Sequence, residues 1–358
     1  MPHRNGGCDP HSGLTWRHRP ARPDAGHGES VLVVVFSQAR VAEERFGLER
    51  LFAQTRHACL FLKGPDADWY RTCGSAIDFA IAEACSRASP DRIVYYGASK
   101  GAYGALLTGL KRGDGEIYAF GPEFRLGEPG TQSRLYMQED PTAPDPLSML
   151  QACQDGPPVH IVFGIFDAID ARGATRCLRA DLPARTSLST LRSSHASHDH
   201  LYTLNIIRKL ITRFDRDLGG LCAERNLIAR DAVEDIERFA RAGAARARGM
   251  PVDVSPMASD PYVDQNPGFA LLAAEALVAT ECFDQAEALL AGTQTTIDSD
   301  AALSGLPKRW RKSVWRTRLA ARAAAGDDQG LANLLQEVRV RFPEDTALAR
   351  EYRRTRNV

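Results

Sequence analysis

Six short apolar runs, separated by stretches long enough for helices, govern what residues 31 to 191 can become. They are V-L-V-V-V-F at 31–36, A-C-L-F-L at 58–62, R-I-V-Y-Y at 92–96, E-I-Y-A-F at 116–120, V-H-I-V-F at 159–163 and a weaker T-S-L-S-T-L at 186–191. A strand with one wet face alternates apolar and polar residues. Runs without alternation belong to strands covered on both faces, as in a parallel sheet flanked by helices. The intervening segments predict helices over 42–54, 75–87, 100–111, 171–180 and 199–214. Strand alternating with helix, joined by right-handed crossovers, gives an α/β, doubly wound sheet.

The flanks read differently. Residues 1–29 are rich in Pro, Gly, His and Arg and bury too little apolar surface to offset ordering, so they are expected to form a disordered tail. Beyond about residue 216 the composition turns to Ala, Leu, Arg and Glu, which predicts an all-α helical-hairpin region. One long helix is expected over 222–248, a proline-bearing linker over 253–267, and hairpins after that. The spacing from Trp315 through Gly326 to Pro343, with Phe283-Asp284-Gln285-Ala286 opening another helix, resembles a tetratricopeptide repeat. Three segments follow: 1–29, an α/β domain at 30–220, and a helical region at 221–358.

Charge narrows the function classes. The 358 residues carry 45 Lys and Arg against 45 Asp and Glu, so the whole-molecule field is weak and neither nucleic acid nor an anionic membrane is the expected partner. No stretch approaches the roughly 18 apolar residues of a membrane helix, and the first residues lack a signal-peptide pattern; a cytoplasmic protein is expected. The eight cysteines are scattered with no C-x-x-C pair, as small core residues are.

The run at 92–96 leads directly into Gly97-Ala98-Ser99-Lys100-Gly101 and then into A-Y-G-A-L-L-T-G-L. A G-x-S-x-G between strand and helix is the setting of a nucleophile elbow. The serine occupies a sharp turn where side chains at 97 or 101 would clash, and its hydroxyl stands at a helix N-terminus, whose dipole favours developing negative charge. A serine attacks only when a base takes its proton, and a carboxylate must orient that base. In chain order the acid follows the serine at the end of the 159–163 run, where Gly164-Ile165-Phe166-Asp167-Ala168-Ile169-Asp170 offers Asp167, three residues after the glycine, with Asp170 as the alternative. The base follows in Ser193-Ser194-His195-Ala196-Ser197-His198-Asp199-His200. His198 is the first choice, because it directly precedes a helix for which Asp199 would be the N-cap; His195 and His200 are the alternatives. A metal site built from these histidines and Asp199 would leave the serine motif unexplained, so neither metal nor cofactor is expected. Oxyanion-hole N–H donors are expected from Lys100 and from Ser37-Gln38 after the first run.

These residues carry a resemblance. V-V-V-F-S-Q, F-L-K-G-P-D-A-D-W-Y-R, Y-G-A-S-K-G-A-Y-G-A-L-L and Y-A-F-G-P-E-F-R-L-G are similar to a group of bacterial α/β-hydrolase domains. That group shares a strand ending in F-S, a D-P-x-x-x-W-Y segment, a G-S-S-M-G-G-Y-A-A-L-L elbow and an A-F-x-P-Q strand. The likeness spans roughly residues 30–210, and Lys100 and Ala102 depart from it, the former placing a cation beside the site. Some such domains are attached to glycosyltransferase or repeat modules in surface-polysaccharide contexts. The resemblance implies a minimal α/β-hydrolase fold and a serine hydrolase of the carboxylesterase or deacylase type.

Only about 40 residues separate the runs at 116–120 and 159–163, which predicts an open site without a lid domain, suited to a small or saccharide-borne ester. An acyltransferase would use the same residues. The alternative from a different class is a non-catalytic hydrolase-like scaffold whose helical region binds a protein partner.

Overall fold

A computed structural model describes residues 5–22, 29–251 and 257–344. The chain divides into two compact units, Met1–Ala240 and Arg241–Val358.

The first unit is built on an eight-stranded sheet, ordered β1-β2-β4-β3-β5-β6-β7-β8. Its strands are β1 Gly6–Cys8, β2 Thr15–Arg19, β3 Val31–Phe36, β4 Ala58–Lys63, β5 Arg92–Ala98, β6 Glu116–Phe120, β7 Val159–Gly164 and β8 Thr186–Leu191. From β4 to β8 every pairing is parallel, whereas β2 runs antiparallel to β4 and β1 antiparallel to β2. The helices are α1 Glu49–Phe52, α2 Gly74–Ala88, α3 Lys100–Arg112, α4 Pro146–Ala152, α5 Ala168–Leu178, α6 Ser197–Thr203, α7 Ile206–Thr212, α8 Leu218–Ala223 and α9 Val233–Ala247. All six residues of β3 are buried, as the unbroken apolar run demands. This is an α/β-hydrolase sheet followed by an all-α region. β3 and β5 are neighbours, and the connection after β3 runs to β4 on one side while that after β5 runs to β6 on the other. Open α/β sheets place their sites at that reversal, beyond the strands' C-terminal ends.

The six expected strands are present, and the differences lie around them. Residues 1–29 are not a uniform disordered tail: β2 carries alternating burial, with Trp16 and His18 inside and Arg17 outside, and its backbone completes the hydrogen bonding of β4. Residues 1–4 and 23–28 lie outside the described residues. The helix expected over 42–54 shrinks to α1. Gly47 packs against the backbone of Ser37, and Leu48 takes a φ of 60°, which holds the preceding residues in turns. The helix expected over 199–214 is broken by Asn205 at φ 64°. The long helix expected over 222–248 is also two pieces, because residues 227–229 run extended beside β8: the Arg192 N–H donates to the Leu227 carbonyl and the Ala229 N–H to that of Thr190.

The second unit is helical. Of the expected 253–267 linker, residues 253–256 lie outside the described residues, and Tyr262–Gln265 form a short helix within the remainder. Asn266 then caps the helix Pro267–Ala279 by accepting from the N–H groups of Gly268 and Phe269. Helix Phe283–Ser299 pairs with it, and a second hairpin joins Lys308–Ala324 to Asp328–Arg341 around Trp315, Leu319, Leu331, Leu334, Val338 and Phe342. A buried ion pair of 2.7 Å between Arg318 and Glu287 ties Lys308–Ala324 to Phe283–Ser299.

Candidate active site

Ser99 stands between β5 and α3 with φ 54° and ψ −121°, a conformation a non-glycine residue holds only where its surroundings impose it. The surroundings do so by crowding. A Cβ on Gly97 would lie 2.1 Å from the Gly101 carbonyl oxygen, and one on Gly101 would lie 2.3 Å from that of Phe36. Both glycines are therefore required by backbone packed on backbone. The turn delivers the Ser99 side chain to the C-terminal end of the sheet, at the reversal beside β3.

Two partners converge on it. His195 Nε2 lies 3.1 Å from Ser99 Oγ, and His195 Nδ1 donates to Asp170 Oδ1 over 2.6 Å. Asp170, which is 2% exposed, receives the Gly164 N–H on its other oxygen at 3.0 Å. β7, the first turn of α5 and the loop after β8 thus bring a carboxylate, an imidazole and the hydroxyl into one line. Burial works against an imidazolium at His195, but the charge and hydrogen bond of Asp170, with Asp167 and Glu123 beyond, carry its pKa from 6.5 to about 10.

The first choices made on sequence are placed elsewhere. Asp167 is the N-cap of α5, accepting from the Ile169 and Asp170 N–H groups, and burial followed by the charge of Asp170 raises its pKa. Helix α6 begins at Ser197 rather than after Asp199, so His198 lies inside its first turn and points into the core. Its Nε2 stands 2.8 Å from the Tyr96 hydroxyl, with the Tyr96 and Phe120 rings edge-on. His200 is fully buried, with Nδ1 2.9 Å from Ser193 Oγ. One turn of helix separates candidates that look alike in sequence, because the histidine in the loop ahead of the Ala196 cap faces the serine while those within the helix face the core.

The oxyanion-hole candidates divide as well. The Lys100 N–H opens α3, where no intrahelical carbonyl can accept it. The Ser37 N–H is spent on the Leu62 carbonyl at 2.9 Å and so cannot supply an oxyanion donor. The Lys100 ammonium has its own partners. It is buried, donating to the Gly64 carbonyl and to Asp66, each at 2.7 Å; burial lowers its pKa and Asp66 partly restores it.

Two neighbours escaped the sequence reading. Ser99 Oγ donates to Gln132 Oε1 over 2.6 Å, so the segment between β6 and β7 reaches the serine. Glu123, 5% exposed, accepts from the Gln132 N–H at 2.8 Å and from the Ser133 N–H at 3.2 Å; burial raises its pKa. Nothing in Gly130-Thr131-Gln132-Ser133 marks a site residue. Glu123 did carry a signal, since it stands where the A-F-x-P-Q pattern has glutamine.

Sheet order and elbow define an α/β-hydrolase-type domain. Structures similar to this chain include the capsule O-acetyltransferase of Neisseria meningitidis serogroup A, 17% identical with a TM-score of 0.39 over 55% of this chain and 92% of that one. Another is Thermogutta terrifontis esterase 2, 16% identical with a TM-score of 0.40 over 64% and 98%. A third is XC6422 from Xanthomonas campestris, a member of the α/β serine hydrolases without lid, 16% identical with a TM-score of 0.37 over 64% and 99%. At such scores the likeness says nothing of activity. No family model and no curated protein matches the sequence. Among the described residues no cluster of His, Cys, Asp and Glu is placed to hold a metal ion, and no helix is long and apolar enough to cross a membrane.

Proposed function

We infer that the protein is a serine hydrolase that cleaves an ester by acyl transfer through Ser99, with His195 as base and Asp170 as its orienting carboxylate. The observation that carries this is the continuous contact from Ser99 Oγ to His195 Nε2 at 3.1 Å and from His195 Nδ1 to Asp170 Oδ1 at 2.6 Å. Neutral His195 takes the hydroxyl proton as Oγ bonds to the carbonyl carbon. The N–H groups of Lys100 and Gln38 receive the oxyanion, and the charge arising on the imidazole is met by Asp170. Collapse breaks the bond to the alcohol oxygen, which leaves with the proton held on His195. Water, deprotonated by the same nitrogen, then releases the acid and frees Ser99.

The test is labelling with a fluorophosphonate probe beside turnover of short-chain p-nitrophenyl esters. Ser99→Ala should lose labelling and at least about three orders of magnitude in turnover while its melting temperature stays close to wild type. A folded wild-type protein that neither labels nor turns over ester would instead favour the non-catalytic scaffold.

A further inference from the structure

Gln132 is the residue the proposed mechanism does not use, although its amide touches the reacting oxygen. The contact is built rather than incidental. Inside the turn, the Glu123 carboxylate holds the N–H groups of Gln132 and Ser133, and Ser133 Oγ accepts from the Gly127 N–H at 2.7 Å. Outside it, Arg40 Nε donates to the Tyr136 hydroxyl at 3.2 Å, and the Arg40 N–H donates to Asp66 Oδ2 at 3.0 Å. The backbone of Gln132 is therefore fixed, while its side chain ends on Ser99.

That hydrogen bond must break before the reaction. The Ser99 proton has to turn from Gln132 to His195, and the incoming ester must take space beside Oγ. The displaced amide remains at the site on a fixed backbone, with an acceptor oxygen and two donor hydrogens to satisfy. An ester of an apolar alcohol leaves it without a partner, whereas an ester whose alcohol carries a neighbouring hydroxyl replaces the lost bond. Sites built to hydrogen-bond a substrate hydroxyl discriminate strongly against analogues lacking it.

We propose that Gln132 is a specificity-determining residue that selects esters of polyhydroxy alcohols, and that Glu123 is its positioning residue. This rests on the acyl-transfer reading of Ser99. The experiment compares glycerol monoacetate with butyl acetate, which share the acyl group, in the full chain. Wild type should favour the glycerol ester in kcat/KM. Gln132→Ala should lower that preference about tenfold, the size expected of one hydrogen bond, while Ser99 still labels. Glu123→Gln keeps the shape of the side chain and loses its charge. It should lower the preference less, and should move the pH–rate profile toward acid, because of the carboxylates facing His195 (Asp170, Asp167 and Glu123) one is neutralised.

A preference unchanged in both variants, with labelling intact, overturns the role of Gln132 and leaves the hydrolase reading standing. Absence of any glycerol preference in a labelling wild type overturns it equally. A wild type that neither labels nor turns over either ester removes both.

Discussion

His195 and His198 are three residues apart and differ in almost every physical respect. His195 has a carboxylate on one nitrogen and the serine on the other, whereas His198 has a phenol on Nε2 and aromatic rings around it. His195→Gln should therefore abolish ester turnover with little change in melting temperature at alkaline pH, and His198→Gln should retain turnover but melt lower, because a buried ring is lost from the Tyr96–Phe120 cluster. A dead His198→Gln beside an active His195→Gln would reverse the assignment. The raised pKa of His195 gives this residue a pH signature. In the proposed mechanism the base works only when neutral, so turnover should climb with pH along a limb centred above the ordinary 6.5 and extending toward 10. Stability runs the other way. A folded-state pKa above the unfolded value contributes fully below 6.5 and is lost as pH rises toward 10. Melting wild type against His195→Gln across that range should show their gap closing as the solution becomes alkaline.

The elbow is an element whose two ends are held by glycine, and it is the part of the site the sequence made most legible. Strand, G-x-S-x-G and helix together placed Ser99, and the apolar runs placed the parallel strands around it. Gly97→Ala should cost about 1–3 kcal/mol, as forced overpacking does, and should abolish probe labelling, because its methyl would meet the Gly101 carbonyl at 2.1 Å. A labelled Gly97→Ala of wild-type stability would show that the turn relaxes more readily than its packing implies. The partners of Ser99 were less legible for a definite reason. Asp167 and Asp170, like His195, His198 and His200, sit at the boundary of a loop and a helix, where one residue of shift exchanges a capping role for a facing one. Residue type cannot fix that boundary, since either aspartate can cap. Gln132 was out of reach altogether: it meets Ser99 only through the path of a turn that Glu123 organises across nine residues.

At the scale of the whole chain, the division between the units falls inside α9, where Ile236, Phe239 and Ala240 are buried. A chain ending at Met250 keeps these residues and the 227–229 segment beside β8, so it should fold and label with a serine probe. One ending at Asp215 loses both and should melt lower. Thermal melts and labelling of the two, beside the full chain, make the comparison, and an insoluble or unlabelled Met250 form would show that the later hairpins are needed for the first unit to fold. The N-terminal strands carry a different consequence. β2 occupies the flank of β4 along five paired residues, from Thr15 opposite Lys63 to Arg19 opposite Cys59. Without it, β4 would offer a bare row of N–H and C=O groups on a strand of mostly buried apolar residues, an open template for any other extended chain. β2 thus covers that edge, and a chain starting at Glu29 should fold around the same elbow yet pair with its own copies, visible as growing light scattering at concentrations where the full chain stays clear.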